Sequence, residues 1–187
     1  METSDLRDIA QKRYDDFVDA LREMVNVDCG SYTPDGVNVI ADLCQARFEG
    51  GGWAVERMRH EPDEGQEQLG DLVIGRLEGS GSKRVLMIGH TDTVFDTGTV
   101  AERPFATDGD RAFGPGVTDM KGGLLTGFFA VEVLQAAGFE DFGRVTYICN
   151  PDEEIGSPWS RETILAEAGR ADAALVLEGA RENGDIV

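Results

Sequence analysis

An α/β architecture, three layers around a mostly parallel sheet, is predicted for this chain by three observations. Short continuous apolar runs, RVLMIG at 84–89, VTYIC at 145–149 and AALVL at 173–177, read as buried strands, because a strand covered on both faces needs no polar alternation. Helical stretches separate them, GLLTGFFAVEVLQAAG at about 123–138 and SRETILAEAG at 160–169. The resulting order, β, α, β, α, β, is that of crossover units, which lay helices over the faces of a parallel sheet.

The elements before the first of these strands follow from spacing. Leu6, Ile9, Phe17, Leu21 and Met24 recur at helical intervals, which predicts one amphipathic helix over 5–26 with Ser4 as its N-cap. CGSYTPDG, 29–36, is a turn-rich loop. A second helix over about 36–49 ends at the triple glycine 50–52. WAVERMR and DLVIGRLEG alternate well enough for strands, and GSGSK, 79–83, is a short flexible connection.

Composition narrows the function. With 187 residues and 41% hydrophobic content, the chain predicts one globular domain. A formal charge of −19 makes nucleic acid and anionic membranes poor partners. Lysine occurs only at Lys12, Lys83 and Lys121, a balance that resembles salt-adapted proteins as well as ordinary acidic ones. Cys29, Cys44 and Cys149 are odd in number and lack CxxC spacing, so they read as reduced thiols of a cytoplasmic protein. The polar start METSDLRDIAQKR carries no apolar signal segment, and no apolar run approaches transmembrane length.

The strand exits carry the candidate chemistry, since catalytic groups in open α/β sheets sit beyond the carboxyl ends of strands. After RVLMIG come His90 and Asp92; after VTYIC comes NPDEEIGS with Glu153 and Glu154; after AALVL comes Glu178; and Asp119, in GPGVTDMKGG, directly precedes a helix. Singly, each has an ordinary alternative. His90 can be a structural histidine, Asp119 a helix cap, the glutamate pair a solvated loop and Glu178 a surface residue. Their coincidence at neighbouring exits points instead to a divalent metal, for which histidine and carboxylates are suitable ligands. In an extended His90-Thr91-Asp92 segment, alternate side chains share a face, so Asp92 can orient the imidazole. An extended backbone would point Glu153 and Glu154 apart, one toward metal and one toward substrate. Asp119, with two oxygens, can bridge a pair of ions.

HTDTV, GPGVTDMKGG, NPDEEIGSPWSR and LEG, in that order, resemble the two-zinc metallopeptidase family of bacterial glutamate carboxypeptidase, acetylornithine deacetylase, succinyl-diaminopimelate desuccinylase and aminoacylase. The resemblance runs from about residue 10 onward and is closest to the glutamate carboxypeptidase branch. It implies a zinc-exopeptidase-like catalytic domain with two zinc ions per site, cobalt or manganese being alternatives. His90, Asp119 (bridging), Glu154 and Glu178 would be the metal ligands. Asp92 would support His90, and Glu153 would be the general base. A cis peptide between Asp119 and Met120 is implied as well.

The pattern departs from the family in two places. Gly179 stands where a proline is usual, and a second zinc-binding histidine has no counterpart, since His60 reads as a surface loop residue. The resemblance therefore implies that residues 1–187 are the N-terminal portion of the catalytic domain, with a lid and dimerisation domain and a closing segment absent, and with a further strand running at Asp185–Val187. The implied activity is hydrolysis of an amide bond in an N-acyl amino acid or peptide, by a homodimer in the complete enzyme. An inactive metal-binding fragment and a non-catalytic interaction domain are the alternatives for this chain.

Overall fold

The computed structural model of the chain describes residues 2–180. In order, the elements are α1 (Thr3–Lys12), α2 (Tyr14–Val25), α3 (Pro34–Gly50), β1 (Ala54–Met58), β2 (Leu72–Glu78), β3 (Arg84–His90), α4 (Thr99–Glu102), β4 (Ala106–Asp108), β5 (Arg111–Phe113), α5 (Gly122–Ala136), β6 (Arg144–Asn150), α6 (Arg161–Ala168) and β7 (Ala173–Val176). The central sheet runs β1-β2-β6-β3-β7. β3 is parallel to β6 and β7, whereas β2 is antiparallel to both β1 and β6. Four of the five strands thus point one way, as the apolar runs predicted, and β2 alone is reversed.

Side-chain alternation splits the sheet residues between two cores. Val73, Tyr147 and Cys149 face the layer of α2, α3 and α5, where they meet Met24, Ile40, Phe48 and Phe128. Leu72, Ile74, Leu86 and Ile148 face the opposite layer, against Trp159, Ile164 and Ala168. These are the three layers. α5 is buried nearly all round, through Leu124, Leu125, Phe128, Phe129 and Val131, because it lies between the sheet and the α1–α2 pair. Phe48 is the keystone of the larger core. Its ring centroid lies 4.7 Å from Phe128, 5.2 Å from Trp53 and 5.8 Å from Tyr147. Gly75 makes room for it, since a Cβ there would stand 2.2 Å from Phe48 Cδ1.

Several expectations are corrected. The first helix is two helices. At Arg13 the backbone N–H turns to Ala10 O, and the guanidinium reaches Glu132 on α5 at 2.8 Å. Ser4 lies inside α1, and the Glu2 N–H is taken by Asp5 Oδ2 at 3.2 Å. α4 and the β4–β5 hairpin have no apolar periodicity to announce them. His60 is half-buried: its Nδ1 accepts the Leu69 N–H at 3.0 Å, and its ring meets Trp159 edge-on at 5.0 Å. All three cysteines are unpaired and buried, and burial pushes the Cys29 and Cys149 thiols up, away from reactivity. No helix among the described residues is long and apolar enough to cross a membrane. The strand expected at Asp185–Val187 lies outside the described residues.

Phe48→Ala leaves an aromatic-sized hole among rings that cannot collapse into it. Its expected cost is about 3–5 kcal/mol of unfolding free energy, read as a lower denaturant midpoint with little change of slope. A loss below about 1 kcal/mol would show that Phe48 does not organise this core.

Candidate metal centre

Register places the first two exits side by side. His90, the last residue of β3, pairs with Asn150, the last of β6, and the Thr91 N–H continues the ladder to Asn150 O at 2.8 Å. The chain leaving each strand therefore enters one cleft. β7 brings in Glu178 from the other side of β3. Asp119 arrives on the turn Val117–Lys121 that leads into α5, with a cis peptide between Asp119 and Met120 as the resemblance implied. Lys121 is buried and serves this turn, its Nζ donating to Val27 O at 3.0 Å and Pro115 O at 3.4 Å.

All six residues singled out from the sequence converge. The buried His90 ring points Nε2 toward Asp119 Oδ1 at 3.1 Å, Glu178 Oε1 at 3.5 Å and Glu153 Oε2 at 3.8 Å. Two overlapping trios, His90/Asp119/Glu154 and His90/Glu153/Glu178, each have ligand-capable atoms within 4.8 Å of one another. The histidine is at the floor of the cleft, while the side chains of Asp119, Glu153 and Glu178 remain 64%, 49% and 39% exposed at its mouth.

Asp92 is the hub beneath them. It is 1% exposed. One oxygen accepts the Ser31 hydroxyl at 2.6 Å and the Glu154 N–H at 3.2 Å, and the other accepts the Glu153 N–H at 3.2 Å. His90 Nδ1 meets the Asp92 backbone carbonyl at 2.9 Å and its carboxylate Oδ1 at 3.3 Å. The imidazole is thus oriented by both groups of one residue, not by the carboxylate alone. Glu153 and Glu154 are not extended. They open a one-turn helix, Glu153–Ile155, and the turn directs the two carboxylates into different trios.

Two residues of this framework were not read from the sequence. Ser31 sits in the CGSYTPDG loop, which is sewn to the metal-side loop by the Gly30–Thr93 bridge and by Thr93 N–H to Cys29 O at 2.9 Å. Asp152, fully buried, takes the Trp159 N–H at 2.7 Å, the Ser160 N–H at 3.1 Å and the Ser160 hydroxyl at 2.5 Å. It folds the segment after Glu154 back on itself. Of the three consecutive carboxylates at 152–154, the first is therefore structural. The run DEE does not distinguish them, and a separation is visible only once the chain turns.

The electrostatics are those of an uncompensated cluster. Burial by itself would lower the His90 pKa, but the hydrogen-bonding and charge of Asp92, with Glu178 and Glu153 beyond it, raise it to about 9. Burial, then the charge of Asp119, lifts Glu154 to about 7, and burial also raises Glu178. Glu154 Oε1 is buried and has no hydrogen-bond partner among the described residues. A buried carboxylate oxygen without a donor, facing more carboxylates and a histidine, fits a divalent cation and not another protein group.

The comparisons agree with this geometry. The model of peptidase family M20/M25/M40 matches residues 86–187. The chain is 34% identical over 161 residues to carboxypeptidase G2 of Pseudomonas sp. (strain RS-16), covering 86% of this chain and 38% of that protein. It is 32% identical over 165 residues to acetylornithine deacetylase of Myxococcus xanthus, covering 86% and 41%. The chain thus spans about two fifths of the length of these relatives. Among solved structures, human carnosine dipeptidase 1 superposes with a TM-score of 0.78 at 21% identity, over 95% of this chain and 41% of that one. The di-peptidase Dug1p of Saccharomyces cerevisiae does so with a TM-score of 0.76 at 20% identity, over 92% and 40%. At these identities the structural likeness shows the fold, and the matching motifs show the lineage: the chain belongs to peptidase family M20/M25/M40.

Proposed function

We propose that this chain carries the metal-and-water half of an amide-bond hydrolase acting on N-acyl amino acids or short peptides. The observation that carries the reading is the pair of carboxylate trios sharing His90, with Glu154 Oε1 buried and unpartnered. The relatives' names, a carboxypeptidase and a deacetylase, support the substrate class. His90, Asp119, Glu154 and Glu178 would hold two divalent ions, zinc by family and donor set, with cobalt or manganese also compatible. When bound, such ions supply Lewis-acid polarisation and make water acidic near neutral pH. The chain's own residues do the rest. Asp92 fixes the His90 ring and, through the two N–H groups, the turn that presents Glu153. Glu153, half-exposed at the cleft mouth, takes the proton of the attacking water and delivers it to the departing amine.

Glu153→Gln tests the assignment. It keeps the shape, so bound metal per chain, measured by elemental analysis, should be unchanged while kcat falls by about 10²–10⁴-fold. Full turnover in this variant would remove Glu153 from the proton path. Stoichiometric metal with no turnover in the unmodified protein would reduce the function to metal binding.

Metal binding should also displace protons. At pH 7, His90 with a pKa of about 9 carries its extra proton, and Glu154 at about 7 is protonated about half the time. Ligands must shed protons to bind a metal. Calorimetric zinc titrations in buffers of differing ionisation enthalpy should therefore show proton release at pH 7 that shrinks as pH rises through 9, with apparent affinity rising over the same window. Release that is absent at pH 7 would mean that neither His90 nor Glu154 is a ligand carrying a proton at that pH.

A further inference from the structure

Asp119 is held differently from the other cleft acids. Its side chain is the most exposed of them, and among the described residues its carboxylate has one hydrogen-bonding contact, His90 Nε2 at 3.1 Å. Glu153 and Glu154 have their N–H groups taken by Asp92, and Glu178 follows β7 directly. Asp119 has neither support. Its place depends on how the Val117–Lys121 turn is fixed.

Lys121 closes that turn. It is the one lysine or arginine that is buried among the described residues, at 1% exposure. A lysine buried to that degree ordinarily has a carboxylate partner. Here the Nζ donates to main-chain carbonyls instead, Val27 O at 3.0 Å and Pro115 O at 3.4 Å. Its backbone N–H goes to Gly116 O at 2.8 Å, and the Gly122 N–H goes to Val117 O. The aliphatic stem crosses Gly116, where φ is 73° and an added Cβ would stand 3.3 Å from Lys121 Cδ and 2.8 Å from Thr93 Cγ2. Val27 lies between α2 and the 29–36 loop, and Pro115 lies on the segment entering the turn. One side chain therefore pins the turn that carries Asp119 to two pieces of backbone outside it. An exposed surface lysine could not do this, because water would compete for its donors.

We propose that Lys121 is a positioning residue: tied to Val27 O and Pro115 O, it sets the Val117–Lys121 turn before any ion arrives, and so holds the Asp119 carboxylate beside His90 where it takes a metal. This rests on the metal-binding part of the proposed function for what Asp119 does, but not for how the turn is held. The test is a double-mutant cycle read by cobalt(II) titration, with Lys121→Met, Asp119→Ala and the double variant. Lys121→Met keeps the length of the side chain and removes its donors. It should weaken cobalt by about tenfold to a hundredfold, the usual effect of losing a group that orients a ligand, and should shift the visible cobalt bands. In the Asp119→Ala background the same change should cost less than about twofold, since a residue acting through Asp119 has nothing left to position. A lower melting temperature alone decides nothing, because two carbonyls lose their donor in either case. Losses that multiply in the double variant would make Lys121 merely structural and overturn the proposal, as would parent affinity in Lys121→Met. Amide hydrogen exchange of the metal-free, unmodified protein gives a second reading that needs no variant to fold. The Lys121 and Gly122 amides should exchange as slowly as that of Thr91 on the β3–β6 ladder. Fast exchange there would mean that the ion, not the lysine, forms the turn, and would also overturn the proposal. No cobalt binding by the unmodified protein, with these amides slow and released only in Lys121→Met, would sink the metal reading and leave Lys121 as what sets Asp119. Cobalt binding that ignores Lys121 would do the reverse.

Discussion

The parallel pairing of β3 with β6 sets His90 opposite Asn150, and the site hangs on that register. The two strands end level, so the loops that leave them, 91–97 and 151–160, start a few ångströms apart and share one cleft. Asp92 then converts proximity into geometry. Its buried carboxylate binds the N–H groups of Glu153 and Glu154 and lies against the His90 ring, so one side chain orients a ligand from its own loop and the backbone of two acids from the other. A slip of one residue in β6 would break this in two ways. It would turn the alternating Tyr147, Ile148 and Cys149 toward the wrong layers, and it would move the Glu153 amide away from Asp92. The two hydrophobic cores are therefore what hold the acids in place, and the site needs no separate scaffold.

Such an arrangement is electrostatically unfavourable by itself. Carboxylates converge on a buried imidazole, and the protein answers by holding protons: the pKa values of His90, Glu154 and Glu178 are all raised. Protons relieve the repulsion only in part, because Glu154 Oε1 still lacks a donor. A divalent ion relieves it more fully, and what it contributes to binding it also contributes to folding, since the unfolded chain has no such site. The cost of assembling like charges is what gives the cluster its appetite for cations. The same reasoning explains the division among Asp152, Glu153 and Glu154. Three adjacent acids can be packed here because Asp152 turns away to backbone and hydroxyl donors, leaving two to face the cleft.

Much of this was legible in the sequence, and the reasons differ by element. β3, β6 and β7 were readable because strands covered on both faces leave continuous apolar runs. Five of the six cleft residues were readable because they follow those runs directly, and a strand exit is a place the topology must fill; Asp119 was readable from its glycine-rich turn at the start of a helix. The break at Arg13 was not readable: the apolar spacing continues across it, and the break shows only through the tertiary partner Glu132. α4 and the β4–β5 hairpin bury almost nothing, so no periodicity records them. The turn at Glu153–Ile155 was mistaken for extended chain because its cause, Asp92, lies sixty-one positions away from Glu153. Ser31 escaped for the same reason. A serine in a turn-rich loop carries no local signal, and it acquires meaning only from Asp92.

The loop 29–36 shows how far that non-local dependence reaches. It has no metal-ligand candidate, yet it is joined to the 91–97 segment at Gly30–Thr93, at Cys29 O and at the Ser31 hydroxyl. Asp28, just before it, accepts the Gly98 and Val100 N–H groups and so holds the start of α4. One surface loop is thus tied both to the hub beneath the acids and to the helix that follows the 91–97 segment. A change of conformation there would be felt at His90 and at α4 together, because neither anchor can shift without breaking these hydrogen bonds, so the acid cluster and the loops around it form one connected framework.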